Sequence, residues 1–128
     1  MTLLTPQNAS RAIGVGRIAF GVALLAVPDK LGESWLGEGG KTAPTQVALR
    51  GLGARDAVIG MAMIHTAGDP DRGPRWARTS AAGDVADIVA TIAARQLLPR
   101  SGVLGTVALG GATAAASIAV SEWIRREG

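Results

Sequence analysis

The feature that most constrains this chain is a run of 21 residues, from Ser101 to Ser121, without a single charged side chain. Its polar residues are only Ser and Thr, so a helix formed from this run has no strongly polar face to turn towards water. About 20 predominantly apolar residues are enough for a helix to cross a bilayer. The run therefore predicts a membrane-spanning helix.

Three further apolar runs precede it, and Pro28, Pro74 and Pro99 lie between the runs rather than inside them. Short links between long helices favour antiparallel neighbours. We therefore predict an all-α chain with one domain over residues 1–128. The expected fold is a four-helix up-down transmembrane bundle with helices at about 7–27, 44–67, 75–98 and 101–124.

Charged residues within the first three runs leave a soluble bundle of amphipathic helices as the alternative. The membrane interpretation is favoured by Trp35, Trp76 and Trp123, which fall at the ends of runs, where interfacial anchors are found. Aromatic residues make up only 3% of the chain, whereas Gly occurs 18 times, and small residues permit close helix packing in membranes. The expected primary partner is the lipid bilayer.

The distribution of basic residues predicts the orientation. One side would hold both termini and the link near residue 70, with Arg11, Arg72, Arg75, Arg78, Arg125 and Arg126; the other would hold Lys30, Lys41, Arg95 and Arg100. Basic residues are enriched on the cytoplasmic side of membrane proteins. We therefore expect a bacterial inner membrane protein with both termini in the cytoplasm.

Charged residues lie near the middle of three runs, at similar expected depth. They are Arg17 in the first run, Arg50, Arg55 and Asp56 in the second, and Asp84 and Asp87 in the third. Charges at such depth normally face the interior of a bundle and pair with one another. The sequence predicts that these three Arg and three Asp form a buried neutral layer, with Asp87 the acid expected to be short of a partner.

Small and hydroxylic residues share helical faces with these charges. Thr91 follows the two acids on the third run, and Thr106, Thr113 and Ser117 form a stripe on the fourth. We predict that these four residues line a polar centre while the aliphatic faces turn to lipid.

Several classes of function are disfavoured by composition. Cys is absent and His65 is the only His, so neither residue type can build a metal site. The Arg residues are scattered without interleaved aromatic residues, which argues against nucleic-acid binding. An Asp-x-x-Asp pair could hold Mg²⁺ against a diphosphate, but Asp84 and Asp87 are too few and too deep for that role. We expect no metal, cofactor or enzymatic activity.

Two segments carry a resemblance to a known family. Gly51-Leu-Gly-Ala-Arg55-Asp56-Ala-Val-Ile-Gly60, followed by Gly83-Asp84-Val-Ala-Asp87, resembles a group of small four-helix integral membrane proteins of actinobacteria. In size and number of spans the chain is also loosely similar to DoxX-like proteins. The resemblance implies the four-span fold and no particular activity.

Two functions fit these expectations. The first is an accessory or scaffold protein that binds another membrane protein or itself, as a homodimer, through Ala- and Gly-rich faces. In that case the charged layer is a structural clamp that fixes the register of the helices. The alternative is a small transporter or proton-coupled channel that uses Asp84 and Asp87, because ionisable residues within membranes often mark ion pathways.

Overall fold

The computed structural model describes residues 3–127, and over that range the chain is all-α and contains no strand. The helices are α1 (Pro6–Ala26), α2 (Pro28–Leu36), α3 (Ala43–Thr66), α4 (Arg72–Ala93) and α5 (Arg100–Glu127). Two 3₁₀ turns, Gly37–Lys41 and Arg95–Leu97, follow α2 and α4. The described residues thus form five α-helices, four of them long.

The short helix α2 was not predicted as a helix. Pro28 ends α1, as expected, but it also begins α2, because a proline in the first turn gives up only an N–H that has no helical acceptor. Asp29 adds a negative charge near the positive end of the helix dipole. Gly37 follows α2 with a positive φ of 75°, a conformation that glycine adopts without strain.

The ends of the long helices lie close to the predicted boundaries, except at the end of α4. There the regular helix stops at Ala93, five residues before the predicted end. Leu98 is extended, with φ −115° and ψ 155°. The residue before a proline is disfavoured in the helical conformation, so Pro99 explains why Leu98 lies outside α4.

The long helices are arranged as two antiparallel pairs. In the first pair, α1 packs against α3 where Gly14 meets Gly60 and Gly21 meets Gly53, each glycine against the backbone of the other. In the second pair, α4 packs along α5. The pairs meet through smaller contacts of α1 with α5 and of α3 with α4. The start of α1 and the end of α5 therefore lie at the same end of the bundle as the α3–α4 turn. Helix α2 lies at the opposite end.

The interior is unusually polar and the outer faces are aliphatic. The fully buried side chains include Ser10, Ser80, Ser117 and Ser121, beside Leu24, Met63 and Ile124. Large apolar side chains are exposed on every long helix, among them Val15, Val22, Val58, Met61, Val85, Val89, Leu104, Leu109 and Ile118. Buried polar residues are thus nearly as numerous as buried apolar ones, which is unusual for a water-soluble domain.

Two of the described helices, α1 and α5, are long and apolar enough to cross a membrane. Only 22% and 17% of their most apolar segments are buried in the chain, whereas the core helix of a soluble protein is mostly buried. The helices α3 and α4 do not meet the same criterion, because charged residues interrupt their apolar segments. The observed spans are therefore two candidates, fewer than the four predicted.

Candidate functional site

A buried ion pair joins α1 to α4 at the centre of the bundle. Arg17 Nη1 donates to Asp84 Oδ1 at 3.0 Å, and Nη2 donates to Oδ2 at 2.6 Å. The Thr113 hydroxyl donates a further hydrogen bond to Asp84 Oδ2 at 3.0 Å. Arg17 faces inward because it shares a helical face with Gly14 and Gly21, which lie against α3. Both oxygens of Asp84 are thus bonded.

A second ion-pair group lies beside the first, between α3 and α4. Arg55 donates to Asp87 through Nη1 at 3.4 Å and Nη2 at 3.0 Å, and its Nη2 also donates to Asp56 Oδ1 at 3.1 Å. The expectation that Asp87 lacks a partner is wrong. Asp87 lies about 60° around the helix from Asp84, and at that angle it meets Arg55 of α3.

Arg50 is absent from this layer, contrary to prediction. Its side chain is exposed and its Nε donates to the Leu25 carbonyl oxygen at 3.3 Å. The residue of this turn that faces inward is Leu49, which is buried. Successive helix residues point about 100° apart, so burial of Leu49 turns Arg50 away from the bundle axis.

Without Arg50 the charged layer holds two Arg and three Asp, and it carries a formal charge of −1 when all five are ionised. The three acids accept different numbers of hydrogen bonds. Both oxygens of Asp84 and both of Asp87 accept hydrogen bonds, but Asp56 accepts one, through Oδ1. Asp56 is the acid with the fewest partners, although only 4% of the residue is exposed.

Between this layer and the α3–α4 turn, serine hydroxyl groups form hydrogen bonds that connect the helices. Ser80 donates to Ser117 at 3.1 Å, and Arg17 Nη2 lies 3.4 Å from the Ser117 hydroxyl. Nearer the end, Arg78 Nε donates to the Ser121 hydroxyl at 3.1 Å, and Ser121 donates to the Pro74 carbonyl oxygen at 3.0 Å. These hydrogen bonds hold α4 against α5 in that half of the bundle.

A cavity of about 690 Å³ lies between α1, α5 and α2, and residues of the charged layer form part of its wall. Its walls are mainly apolar and include Phe20, Leu24, Leu31 and Leu109. Gly16 and Gly105 also line it, and a Cβ atom added at either glycine would have no atom within 4 Å. The absence of side chains at these two positions keeps the space open.

Three acids and one arginine of the charged layer line this cavity, namely Asp56, Asp84, Asp87 and Arg17. Of the predicted polar lining, Thr106 and Thr113 lie on the same cavity. Ser117 is buried in the serine contacts, and Thr91 is buried beside a smaller pocket that Asp87 and Trp35 also line. The structure therefore brings five of the six predicted charges together and distributes the hydroxyl groups around them.

The three tryptophans occupy different environments. Trp35 lies in α2 and lines the cavity, with its Nε1 buried and without a partner among the described residues. Trp76 packs against the cluster of Ile59, Met63 and Ala77. Trp123 Nε1 donates to Glu127 Oε1 at 2.9 Å. Their role as interfacial anchors stays a prediction.

The cavity walls were missed at the sequence level. Phe20, Leu31 and Leu109 carried no signal beyond apolar character, since a cavity depends on how helices diverge. Gly16 and Gly105 were a usable signal, because each directly precedes a polar residue of the inward stripe, Arg17 or Thr106, and lines the same cavity.

Within residues 3–127, no group of three His, Asp or Glu side chains is arranged to hold a metal ion. Neither the family models, the curated proteins nor the solved structures compared with this chain give a match.

Proposed function

We propose that this chain is a four-span integral membrane protein of the bacterial inner membrane. The observation that carries the proposal is the combination of serines and ion pairs buried inside the bundle with large aliphatic side chains exposed on every long helix. The central charges of α3 and α4 are directed largely towards one another, so their lipid-facing sides carry residues such as Val58, Met61, Val85 and Val89. The charged residues that keep α3 and α4 from meeting the criterion for a membrane span are therefore compatible with four spans.

Both termini are proposed to lie in the cytoplasm. Arg72, Arg75 and Arg78 open α4 at the same end of the bundle as Arg125 and Arg126, and basic residues favour the cytoplasmic side. The opposite end carries α2 and the Gly37–Lys41 turn, which would lie at the outer interface.

Single cysteines test this topology cleanly, because the natural sequence contains none. Glu38→Cys should react with an impermeant maleimide added to intact spheroplasts, and Asp71→Cys should react only after the membrane is opened. Labelling of both from outside would contradict the orientation. Release of the protein from membranes by an alkaline wash would contradict the membrane assignment itself.

Within the membrane, we infer that the protein binds a small, largely apolar ligand in the cavity between α1 and α5. A cavity of about 690 Å³ lies within the ~300–1,000 Å³ range of small-molecule sites, and apolar walls with a few polar groups are typical of them. The lining residues Phe20 and Leu109 are exposed, so the cavity opens to the surface between α1 and α5. A cavity that is accessible from the surface suits a carrier, the transporter function considered from sequence.

The test is binding of a neutral, apolar fluorophore to the protein in a nonionic detergent. Gly105→Leu should abolish the saturable binding, because the leucine side chain occupies cavity space. Gly111→Leu is the matched control, since it lies on the same helix, also has open space around it and does not line the cavity. Equal binding by both variants would contradict a ligand site in this cavity.

The other candidate function is a scaffold role, in which the same cavity would bind a protein helix. The cavity is lined by small residues that would let a helix of a partner or of a second copy approach closely, namely Gly16, Gly105, Ala112 and Ala116. In that case Ala112→Cys should form an intermolecular disulfide or cross-link in membranes, and the fluorophore should fail to bind until the partner is removed. A monodisperse monomer that binds the fluorophore directly would argue against this role.

A further inference from the structure

The charged layer is one positive charge short. Arg17 and Arg55 face Asp56, Asp84 and Asp87, and Arg50, which would have completed the balance, is exposed and bonded to a carbonyl oxygen elsewhere. An uncompensated charge within a bilayer is costly, so the layer requires one more proton or one more cation. The cavity gives such a charge access to the layer, because Asp56, Asp84 and Asp87 line it.

Asp56 is the group that can accept this charge. Its Oδ2 makes no hydrogen bond among the described residues, and this oxygen is not fully buried. The charged groups that face Asp56 are Arg17 from α1, Arg55 from its own helix, and the two acids of α4; the cavity walls contributed by α2 and α5 carry no charge. Among the three acids that line the cavity, Asp56 is therefore the one with an unbonded carboxylate oxygen.

The same geometry disfavours an anionic ligand. Both Nη atoms of Arg17 are bonded to Asp84, and both Nη atoms of Arg55 are bonded to acids. The Nε atoms of both arginines are buried out of reach. A carboxylate or phosphate would have to compete with these carboxylates for the guanidinium groups, and it would add to the negative charge of the layer.

We propose that the ligand of this cavity is a lipophilic monocation, and that it exchanges with one proton at Asp56. The inference rests on the proposed ligand-binding function and specifies its substrate class. Apolar groups of the ligand contact Phe20, Leu24 and Leu109, and its positive charge lies against Asp56. On binding, the O–H bond of the Asp56 carboxylic acid breaks, the proton leaves to water, and the cation replaces it.

Tetraphenylphosphonium and tetraphenylborate provide a matched pair of probes, because they share size and shape and differ in the sign of charge. In a nonionic detergent, tetraphenylphosphonium should displace the neutral fluorophore at least about tenfold more tightly than tetraphenylborate. Its apparent Kd should fall by up to about tenfold for each unit increase in pH across the range in which the proton is displaced. In weakly buffered solution, one proton should be released per cation bound.

Variants refine the assignment. Asp56→Asn should lose the preference for the cation and its dependence on pH, and Asp56→Glu should retain both. Asp71→Asn, in the exposed turn before α4, is the control and should behave as the unsubstituted protein does. Should Asp56→Asn fail to fold, proton release by the unsubstituted protein decides the question without it.

The outcomes separate the two proposals. If the neutral fluorophore binds but the two ions compete equally, or the borate binds more tightly, the monocation is wrong and the ligand-binding function stands. Cation binding without proton release overturns the exchange. If none of the three probes binds to the monomeric protein, the ligand-binding function fails as well.

Discussion

Arg17 and Asp84, which are 67 residues apart in sequence, form two parallel hydrogen bonds across the bundle at 3.0 and 2.6 Å. Arg17 belongs to the α1–α3 pair and Asp84 to the α4–α5 pair, so this contact joins the two halves of the fold. A paired fork of this kind constrains both position and angle. It therefore sets the register of one helix pair against the other.

Removing one member of this pair should be strongly destabilising. Arg17→Ala leaves Asp84 buried with only the Thr113 hydroxyl as a partner, and loss of one partner of a buried ion pair costs about 3–5 kcal/mol. Unfolding by heat or by sodium dodecyl sulfate in mixed micelles would measure this loss. Arg125→Ala, which removes an exposed pair with Glu122, is the control and should change stability little.

The double variant Arg17→Met with Asp84→Leu should recover much of the stability lost by Arg17→Ala. Replacing both charges by apolar side chains removes the cost of leaving one charge unpaired. If the double variant were instead less stable than either single variant, the ion pair would contribute favourable energy beyond mutual compensation, contrary to this expectation.

Arg50 and Arg55 lie on the same helix but should respond differently to truncation. Arg55→Ala removes the partner of Asp87 and the ion pair of Asp56, so we expect a loss of several kcal/mol in the free energy of unfolding, about 3 kcal/mol or more. Arg50→Ala removes one exposed hydrogen bond to a carbonyl oxygen and should cost about 1 kcal/mol or less. Equal losses of unfolding free energy in the two variants would indicate that Arg50 belongs to the charged layer.

The comparison of these two arginines shows how far the sequence could predict the site. Depth along a helix follows directly from residue number, so the five paired charges were correctly expected at one level. The face of the helix is a finer property. A change of one residue rotates a side chain by about 100°, and the burial of Leu49 rather than Arg50 depends on how α3 packs against α1.

The cavity was beyond the sequence for a different reason. Apolar runs and breakers indicate where helices begin and end, and all four long helices were found close to their predicted positions. Helix α2 and the gap that it covers depend on contacts between distant segments, such as Gly102 against the Trp35 carbonyl oxygen. No periodicity within one run records such a contact.

Ionisation of Asp69, in the turn before α4, should make the stability of the protein depend on pH. The backbone N–H groups of Arg72 and Asp71 and then the Arg72 side chain donate to Asp69, and they lower the pKa of its carboxyl group from 3.8 to about 2. The ionised form is thus favoured by folding. Its contribution is complete above the unfolded pKa of 3.8 and is lost as the pH falls towards 2.

Asp69→Asn should therefore be less stable than the unsubstituted protein near neutral pH, and the difference should shrink as the pH falls through this window. Thermal unfolding at a series of pH values would measure it. Asp71→Asn is the matched control in the same turn, since the Asp71 side chain makes no hydrogen bond in the described residues. A constant difference between Asp69→Asn and the unsubstituted protein across the window would exclude the proposed cause.

Two glycines of similar sequence context should tolerate a methyl group very differently. A Cβ atom at Gly21 would collide with the Gly53 carbonyl oxygen and lie 2.9 Å from the Ala57 nitrogen, both of which are backbone atoms. Gly21→Ala must therefore push α1 away from α3, and overpacking of this kind costs about 1–3 kcal/mol. Gly51→Ala meets no atom within 4 Å and should be neutral or stabilising by up to about 1 kcal/mol, because alanine favours the helix. Unfolding in the same mixed micelles compares the two, and a stable Gly21→Ala variant would show that α1 and α3 do not cross at this point.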